Sequence, residues 1–442
     1  MMLSGWGRFP AIDCNTEILR DPGYIGNVVA QNPSLIARGN GRAYGDAALN
    51  PDKTLCMGAC DRFHAFDEQA GIVECEAGLL LSDLLEVIVP RGWFPPVVPG
   101  TKFVSIGGMV AANVHGKNHH MAGGFGRYVE HLTLIQADGS AVSCSPEENA
   151  DLFRATIGGM GLTGIIRDVT FRLMRVDSAF ILQRVVSAPD LDAVMRVFED
   201  SHTSTYSVAW IDGLARGPSL GRSLLYRGEH AKMADLDGAA AAKPFAMPQR
   251  KAISVPFDLP AVSLNRASVG LFNRLYYGNG LKSRDTHIVD CDGYFFPLDR
   301  ILHWNRIYGR RGFVQYQCVI PKARSRDGLG EILELVARRG NPSFLAVLKL
   351  LAPDQAGWMA FPLEGYTLAL DFPASAATFT LLSELDRILL KHGGRIYLAK
   401  DARQDCEMLE AGYPKLAAFR AMRRERGAVP RFRSLQSERL GL

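Results

Sequence analysis

Three glycine-dense loops constrain what this chain can fold into: ARGNGRAYGDAALN at 37–50, PGTKFVSIGGMVAANVHGKNHHMAGGFG at 99–126 and ATIGGMGLTGII at 155–166. Glycine lets successive backbone N–H groups point one way and lets a ligand approach the main chain closely, so each loop is a candidate anion cradle. A single loop of this kind suits a simple tight turn as well as an anion site. Three in one folding unit would wrap an extended, phosphate-bearing ligand. The dinucleotide βαβ fingerprint is absent, because glycines 39, 41 and 45 read GxGxxxG and no helical run follows them.

Short apolar runs alternate with these loops. SLIARGNG predicts a strand entering a loop, GIVECEAG an alternating strand, and LLLSDLLEVIVPRG a helix behind a Ser82 cap. VEHLTLIQADGSAVSCS predicts a hairpin turning at Asp138-Gly139, and DLFRATIGGMGLTGIIRDVTFRL a helix that passes a glycine corner into a strand. From about residue 179 the glycine clusters thin out. Strand-like runs such as FILQRVVSA, YSVAWIDG, GFVQYQCVIP and YTLALDFP then alternate with helices such as GLGEILELVARRG. The expected fold is α+β with two domains, which a length of 442 residues also favours. Residues 228–262, with GAAAAKP and several prolines, read as a long surface segment able to serve as a lid.

Composition excludes several classes. With 47% hydrophobic and 22% charged residues the chain can bury a large core, and a net charge of +4 does not suit a nucleic-acid binder held by counterion release. From Arg420 to Leu442 seven arginines face two glutamates, either a solvated amphipathic helix face or a basic tail for anionic lipid or a phosphorylated substrate. No stretch reaches the ~20 apolar residues of a membrane span. Leu79 to Pro90 and Phe344 to Pro353 come nearest and are broken by Asp83, Glu86 and Lys349. MMLSGWGRFP lacks the pattern of a secretory signal, and eight cysteines without a CxxC pair read as reduced thiols, so a reducing, cytoplasmic location is expected.

The run NVHGKNHH at 113–120 holds three histidines. His115 and His119 have the spacing of a helical zinc pair, yet Gly116 separates them and the glutamate of HExxH is missing, so no metal is expected. No GxSxG marks a nucleophilic hydrolase. His119 and His120 read as loop hydrogen-bond formers. His115 follows the apolar AANV and precedes a glycine, as if aimed from a rigid element into a cavity.

GRAYGD, the 99–126 loop, LFRATIGGMGLTGII, WNRIYGRRGFVQYQCVIP, SFLAVLKL, LDFP and GGRIYLAKDAR together resemble the vanillyl-alcohol-oxidase-like flavoproteins with a PCMH-type FAD-binding domain. The resemblance runs from LSGWGR at 3–8 through Lys400 into the tail, and HGKNHH with GGMGLTGI is similar to the branch that oxidises a lipid-linked ribose. It implies an FAD-binding domain built from 1–178 and 395–442, with a substrate domain at 179–394 made of an antiparallel sheet and flanking helices. The implied FAD contacts are Ala37, Arg38, Gly39, Asn40, Gly41, Arg42, Ala43, Tyr44, Gly45, Asp46 and Ala47 in the first loop. Gly100, Ser105, Ile106, Gly107, Gly108, Ala112, Asn113, Val114 and His115 follow from the second, with Ile166 and Tyr397. Arg42 stands where many relatives carry a flavin-tethering histidine, so non-covalent FAD is expected.

The activity implied is FAD-dependent oxidation of the 2′-hydroxyl of polyprenylphosphoryl-β-D-ribose to the 2′-keto form, the first half of an epimerisation to arabinose for cell-wall arabinan. A separate NAD(P)H-dependent reductase would complete it, and a lipid-linked substrate implies peripheral membrane contact. Lys400 reads as the cation near substrate or flavin, while Tyr44 and His115 are both candidates to bond the sugar hydroxyl or accept its proton. Tyr316, Gln317, Lys349 and Asp371 are expected at the substrate pocket, Lys349 on the phosphate. Being neighbours, Tyr316 and Gln317 cannot both face the cavity from a regular strand. Ala369 stands where several relatives carry cysteine, a change relevant to thiol-directed inhibitors. The alternatives are an FAD oxidase of a soluble sugar or alditol, a metal hydrolase using the histidines, and a non-catalytic nucleotide binder.

Overall fold

The computed structural model describes residues 1–247, 252–260, 263–282, 285–340 and 343–442. Near the N-terminus β1 (Thr16–Ile18), β2 (Ile36–Arg38) and β3 (Thr54–Cys56) form a parallel sheet in the order β1-β3-β2. β2 delivers the chain into the first glycine loop.

An antiparallel five-stranded sheet follows. It comprises β4 (Phe63–Asp67), β5 (Ile72–Glu76), β6 (Val129–Ile135), β7 (Ala141–Cys144) and β8 (Ile165–Arg172) in the order β7-β6-β8-β5-β4. Alternation along β5 turns Val73 and Cys75 into the core, where they join Leu81, Leu84, Leu85 and Ile88 of α1 (Leu81–Ile88). The Ser82 cap does not form. Leu80 takes the cap position and the Ser82 hydroxyl bonds Asp83. The reason is long-range: the first N–H groups of α1, from Leu81 and Ser82, already donate to the carbonyls of Val104 and Lys102. The second loop continues as α2 (Ile106–Ala111), capped by Ser105, and α3 (Ala150–Thr156) leads through the third glycine corner into β8.

The larger layer is an all-antiparallel sheet of eight strands in the order β12-β9-β11-β10-β14-β15-β13-β16. Its members are β9 (Phe180–Ala188), β10 (Tyr206–Ile211), β11 (Ser223–His230), β12 (His287–Asp290), β13 (Phe313–Pro321), β14 (Ala346–Leu351), β15 (Gly365–Pro373) and β16 (Arg395–Ile396). One face packs on α4 (Leu191–Asp200), α6 (Lys322–Arg339) and α7 (Ala376–Lys391). Val314, Tyr316, Cys318 and Ile320 of β13 and Leu368, Leu370 and Phe372 of β15 point into that helix layer. Burying each such large apolar side chain is worth about 1.5–3 kcal/mol, which fixes the register. The opposite face carries the residues between them, Gln315, Gln317, Thr367, Ala369 and Asp371, with Lys349 on β14. On this second face α5 (Arg266–Lys282) packs Tyr276 and Tyr277 against Val185, Trp210 and Leu224.

The N-terminal end ties the first glycine loop to the large sheet, and the C-terminal end packs back on the N-terminal part of the chain. Trp6 and Gly7 donate to the carbonyls of Ala43 and Tyr44, and the Gly7 carbonyl accepts from Phe313. After α8 (Leu416–Glu425), Arg439 pairs with both Asp46 and Asp401, at 2.8 and 2.9 Å. The C-terminal arginines are therefore not simply a solvated helix face. Arg423 is buried and donates to the carbonyls of Leu162 and Phe432, and Arg431 to that of Asn32. Within the 228–262 segment the chain ends β11 and forms a short helix at Gly238–Ala242, while 248–251 and 261–262 lie outside the described residues. No helix among the described residues is long and apolar enough to cross a membrane.

Candidate active site

Between the glycine loops and the polar face of β13, β14 and β15 lies one cavity of about 1170 Å³. That exceeds the ~300–1,000 Å³ of a site for one small molecule. Residues 37–45 and 47 of the first loop line it, with Gly100, Ser105, Gly107, Gly108, Ala112, Val114, His115, Ile166 and Tyr397. Three expected contacts do not. Asp46 turns away to the Arg439 ion pair, and Ile106 is buried in the core beside Met109 because α2 shows the cavity its other face. The Asn113 side chain is spent on Asp354 and on the N–H of Gly126.

The lining is bare main chain where a phosphate-bearing ligand would press. A Cβ on Gly39 would stand 2.1 Å from Ser105 Oγ. Gly41 has φ +63°, and a Cβ there would stand 2.3 Å from the Arg38 guanidinium. Gly100 has nothing within 4 Å of the same position, so its backbone faces open space. These residues fit a dinucleotide diphosphate on geometric grounds. Arg42, where a tethering histidine was the alternative, lays its guanidinium 4.1 Å from the Trp6 ring centroid and 5.2 Å from that of Phe103.

The three histidines part company. His120 Nε2 reaches the Ser204 carbonyl at 2.8 Å. His119 Nδ1 accepts from the Ala352 N–H, which leaves its Nε2 to donate to Asp354. His115 points into the cavity, packed between Phe361 and Tyr397, with the Gln317 amide nitrogen 3.0 Å from its Nε2. That nitrogen therefore accepts, and the ring proton sits on Nδ1, which has no partner among the described residues. No group of three or more His, Cys, Asp or Glu side chains able to hold a metal occurs among the described residues.

Around His115 the cavity is cationic. Lys400 lies over the Tyr44 ring, and burial draws its ammonium down to about 7, with Asp371 opposing and Lys349 reinforcing the shift. Burial lowers Lys349 to about 8. Burial, then Lys349, His119 and Lys400, hold the His115 imidazole well below its ordinary value. Burial and Asp371 push the Tyr44 phenol well up, against a hydrogen bond from Gln315.

Of the residues expected from the second domain, Gln317 and Lys349 line the cavity. Tyr316 does not: strand alternation sends its ring into the helix layer. Asp371 shares the cavity face but stands behind Gln315, whose amide donates to it at 2.5 Å. Burial raises Asp371 to about 7. Among the lining residues not expected from the sequence are Gln315 and Lys117. Gln315 was signalled by the same period of two that marks Gln317. Lys117, inside HGKNHH, was masked by its histidine neighbours; its ammonium lies 4.4 Å from the Tyr294 ring centroid, and burial, with Lys349, lowers it to about 7.

Beyond the lysines the cavity extends as an aromatic arm along Phe180, Trp210, Phe272, Tyr276, Tyr294 and Phe344. Comparison with known proteins agrees with a flavin site. A family model described as "FAD binding domain" matches residues 27–145. The chain is 34% identical over its full length to decaprenylphosphoryl-β-D-ribose oxidase of Mycolicibacterium smegmatis, covering 97% of that protein. It is 27% identical to L-gulonolactone oxidase of Mus musculus over 47% of this chain and 50% of that enzyme. FAD is thus the cofactor of this fold, an α+β flavoprotein, and the protein is an FAD-dependent oxidoreductase acting on a CH–OH group.

Proposed function

The chain belongs to the PCMH-type FAD-dependent oxidoreductase family of decaprenylphosphoryl-β-D-ribose oxidase, and from that membership we propose that it oxidises the 2′-hydroxyl of a polyprenylphosphoryl-β-D-ribose to the 2′-keto intermediate. One observation carries the substrate class: a single cavity joins the bare glycine loops, a centre with Lys117, Lys349 and Lys400, and a long aromatic arm. A phosphate suits the lysines and an apolar chain suits the arm. A soluble sugar or alditol would leave the arm without a use.

Bound FAD, held without a covalent bond by residues 37–45, Gly100, Gly107 and Gly108, supplies the two-electron acceptor. Lys349 and Lys117 hold the substrate phosphate. Lys400, supported on Tyr44, provides positive charge beside the reacting carbon. His115 takes the hydroxyl proton at Nε2, exchanging the Gln317 amide for the sugar hydroxyl. Its lowered basicity keeps it unprotonated and ready, whereas the raised Tyr44 phenol donates rather than accepts. Gln315 and Asp371 position Tyr44 and Lys400 from behind.

In this reading 1–178 and 395–442 form the cofactor unit and 179–394 the substrate unit, the former holding the five-stranded sheet and the latter all of the large sheet except β16. The enzyme is cytoplasmic and touches the membrane peripherally, and a separate NAD(P)H-dependent reductase takes its ketone product. The test is anaerobic mixing of the flavin-loaded protein with a polyprenylphosphoryl ribose and, separately, with soluble pentoses and alditols. Bleaching of the flavin by the lipid-linked donor alone is expected; bleaching by a soluble donor alone would overturn the substrate assignment.

A further inference from the structure

More than half of the large hydrophobic side chains left exposed among the described residues fall within 253–302. Leu271 and Leu275, one turn apart on α5, are 59% and 60% exposed. Phe272 and Tyr276, the next residue after each, point the other way and line the cavity. The paired strands Ile253–Ser254 and Ile301–Leu302 add Ile253, Ile301 and Leu302, all exposed, and Phe257 follows at 63%. Ile301 belongs to both surfaces, since it also lines the cavity. The strand rim thus reaches the cavity through Ile301, and α5 reaches it through Phe272 and Tyr276.

Charge on the same helix has one sign. α5 carries Arg266, Arg274 and Lys282 and no acidic residue. A helix of 17 residues whose inner face is fixed to a sheet does not span a bilayer. Exposed leucines beside basic residues suit a helix lying in the headgroup layer, its apolar side chains inserted by ~5–10 Å. The C-terminal arginines compete poorly for that task, because Arg423, Arg431 and Arg439 are occupied within the fold.

We propose that the outer face of α5, with Phe257 and the Ile301-Leu302 rim, docks on an anionic phospholipid bilayer and opens the aromatic arm toward the membrane. An apolar chain then slides from the bilayer along Phe272 and Tyr276 without crossing water, while its phosphate travels inward to the lysines. This rests on the lipid-linked substrate reading above.

The test sediments the flavin-loaded full chain with mixed phosphatidylcholine–phosphatidylglycerol vesicles and with phosphatidylcholine vesicles. Binding to the mixed vesicles is expected, weakened by salt. The double variant Leu271→Asp/Leu275→Asp should keep its FAD and lose apparent vesicle affinity by about tenfold or more. Arg274→Glu/Lys282→Glu, a second variant that leaves the leucines intact, should lose affinity for the anionic vesicles only. Absent wild-type binding, or unchanged binding by the leucine variant, would overturn the proposal, as would a change in oligomeric state without a change in vesicle binding. Donor presented in detergent separates the two readings. If it fails to bleach the wild-type flavin, the substrate assignment falls whatever the vesicles show; if it bleaches wild type and leucine variant alike while both bind vesicles equally, only the docking face falls.

Discussion

The ammonium of Lys400 sits 3.6 Å from the centroid of the Tyr44 ring, so a residue that follows the large sheet rests on a residue of the first glycine loop. The contact fixes a cation on the cavity wall between the first glycine loop and the large sheet. Lys400→Ala should retain FAD, because the glycine loops are untouched, and should slow substrate-driven flavin reduction by about 10²-fold or more. Anaerobic stopped-flow absorbance measures this, and wild-type reduction rates would remove Lys400 from the chemistry.

Lys349 stands between two other lysines and depresses both. The free enzyme carries Lys117 and Lys400 near 7 and Lys349 near 8, each charged below its value and neutral above it. Phosphate recognition needs the charged forms, so kcat/KM should fall as pH rises through 7 to 8. Lys349→Met should raise KM and, by removing a neighbouring positive charge, move the alkaline limb of the remaining activity upward. A limb that stays in place would show that these lysines do not share one electrostatic site.

Gly41→Val meets two obstacles, a left-handed φ and the Arg38 guanidinium. A β-branched residue in that conformation costs roughly 1–2 kcal/mol or more, and the loop must shift to admit it. The variant should purify with little or no FAD, read from the flavin absorbance per protein. Full loading would contradict the cradle geometry.

His115→Asn should cost about 10²-fold in flavin reduction if the imidazole accepts the proton, with a smaller loss for Tyr44→Phe. Tyr316→Phe, altered on the helix side of β13, should match wild type. A larger loss for Tyr44→Phe than for His115→Asn would reverse the two roles.

The glycine loops, the hairpin at Asp138-Gly139 and the helix-to-strand corner at 158–164 are legible in the sequence because local rules decide them. What failed was decided at long range. Ser82 has a cap's chemistry, but backbone acceptors from the 102–104 segment reach the helix first. Asp46 sits inside a contiguous loop motif, yet its charge is answered by Arg439, 393 positions along the chain. On β13, alternation alone says that Tyr316 and Gln317 diverge without saying which way; the helices α6 and α7 decide it, and with it they bring Gln315 to the site.

The Arg439 clamp has a consequence for biosynthesis. Asp46, in the first glycine loop, and Asp401, next to Lys400, both wait for a guanidinium that the ribosome delivers hundreds of peptide bonds after the first of them. The N-terminal loop thus cannot make its last charged contact on its own: the Asp46 carboxylate stays unanswered until the chain has been made as far as Arg439.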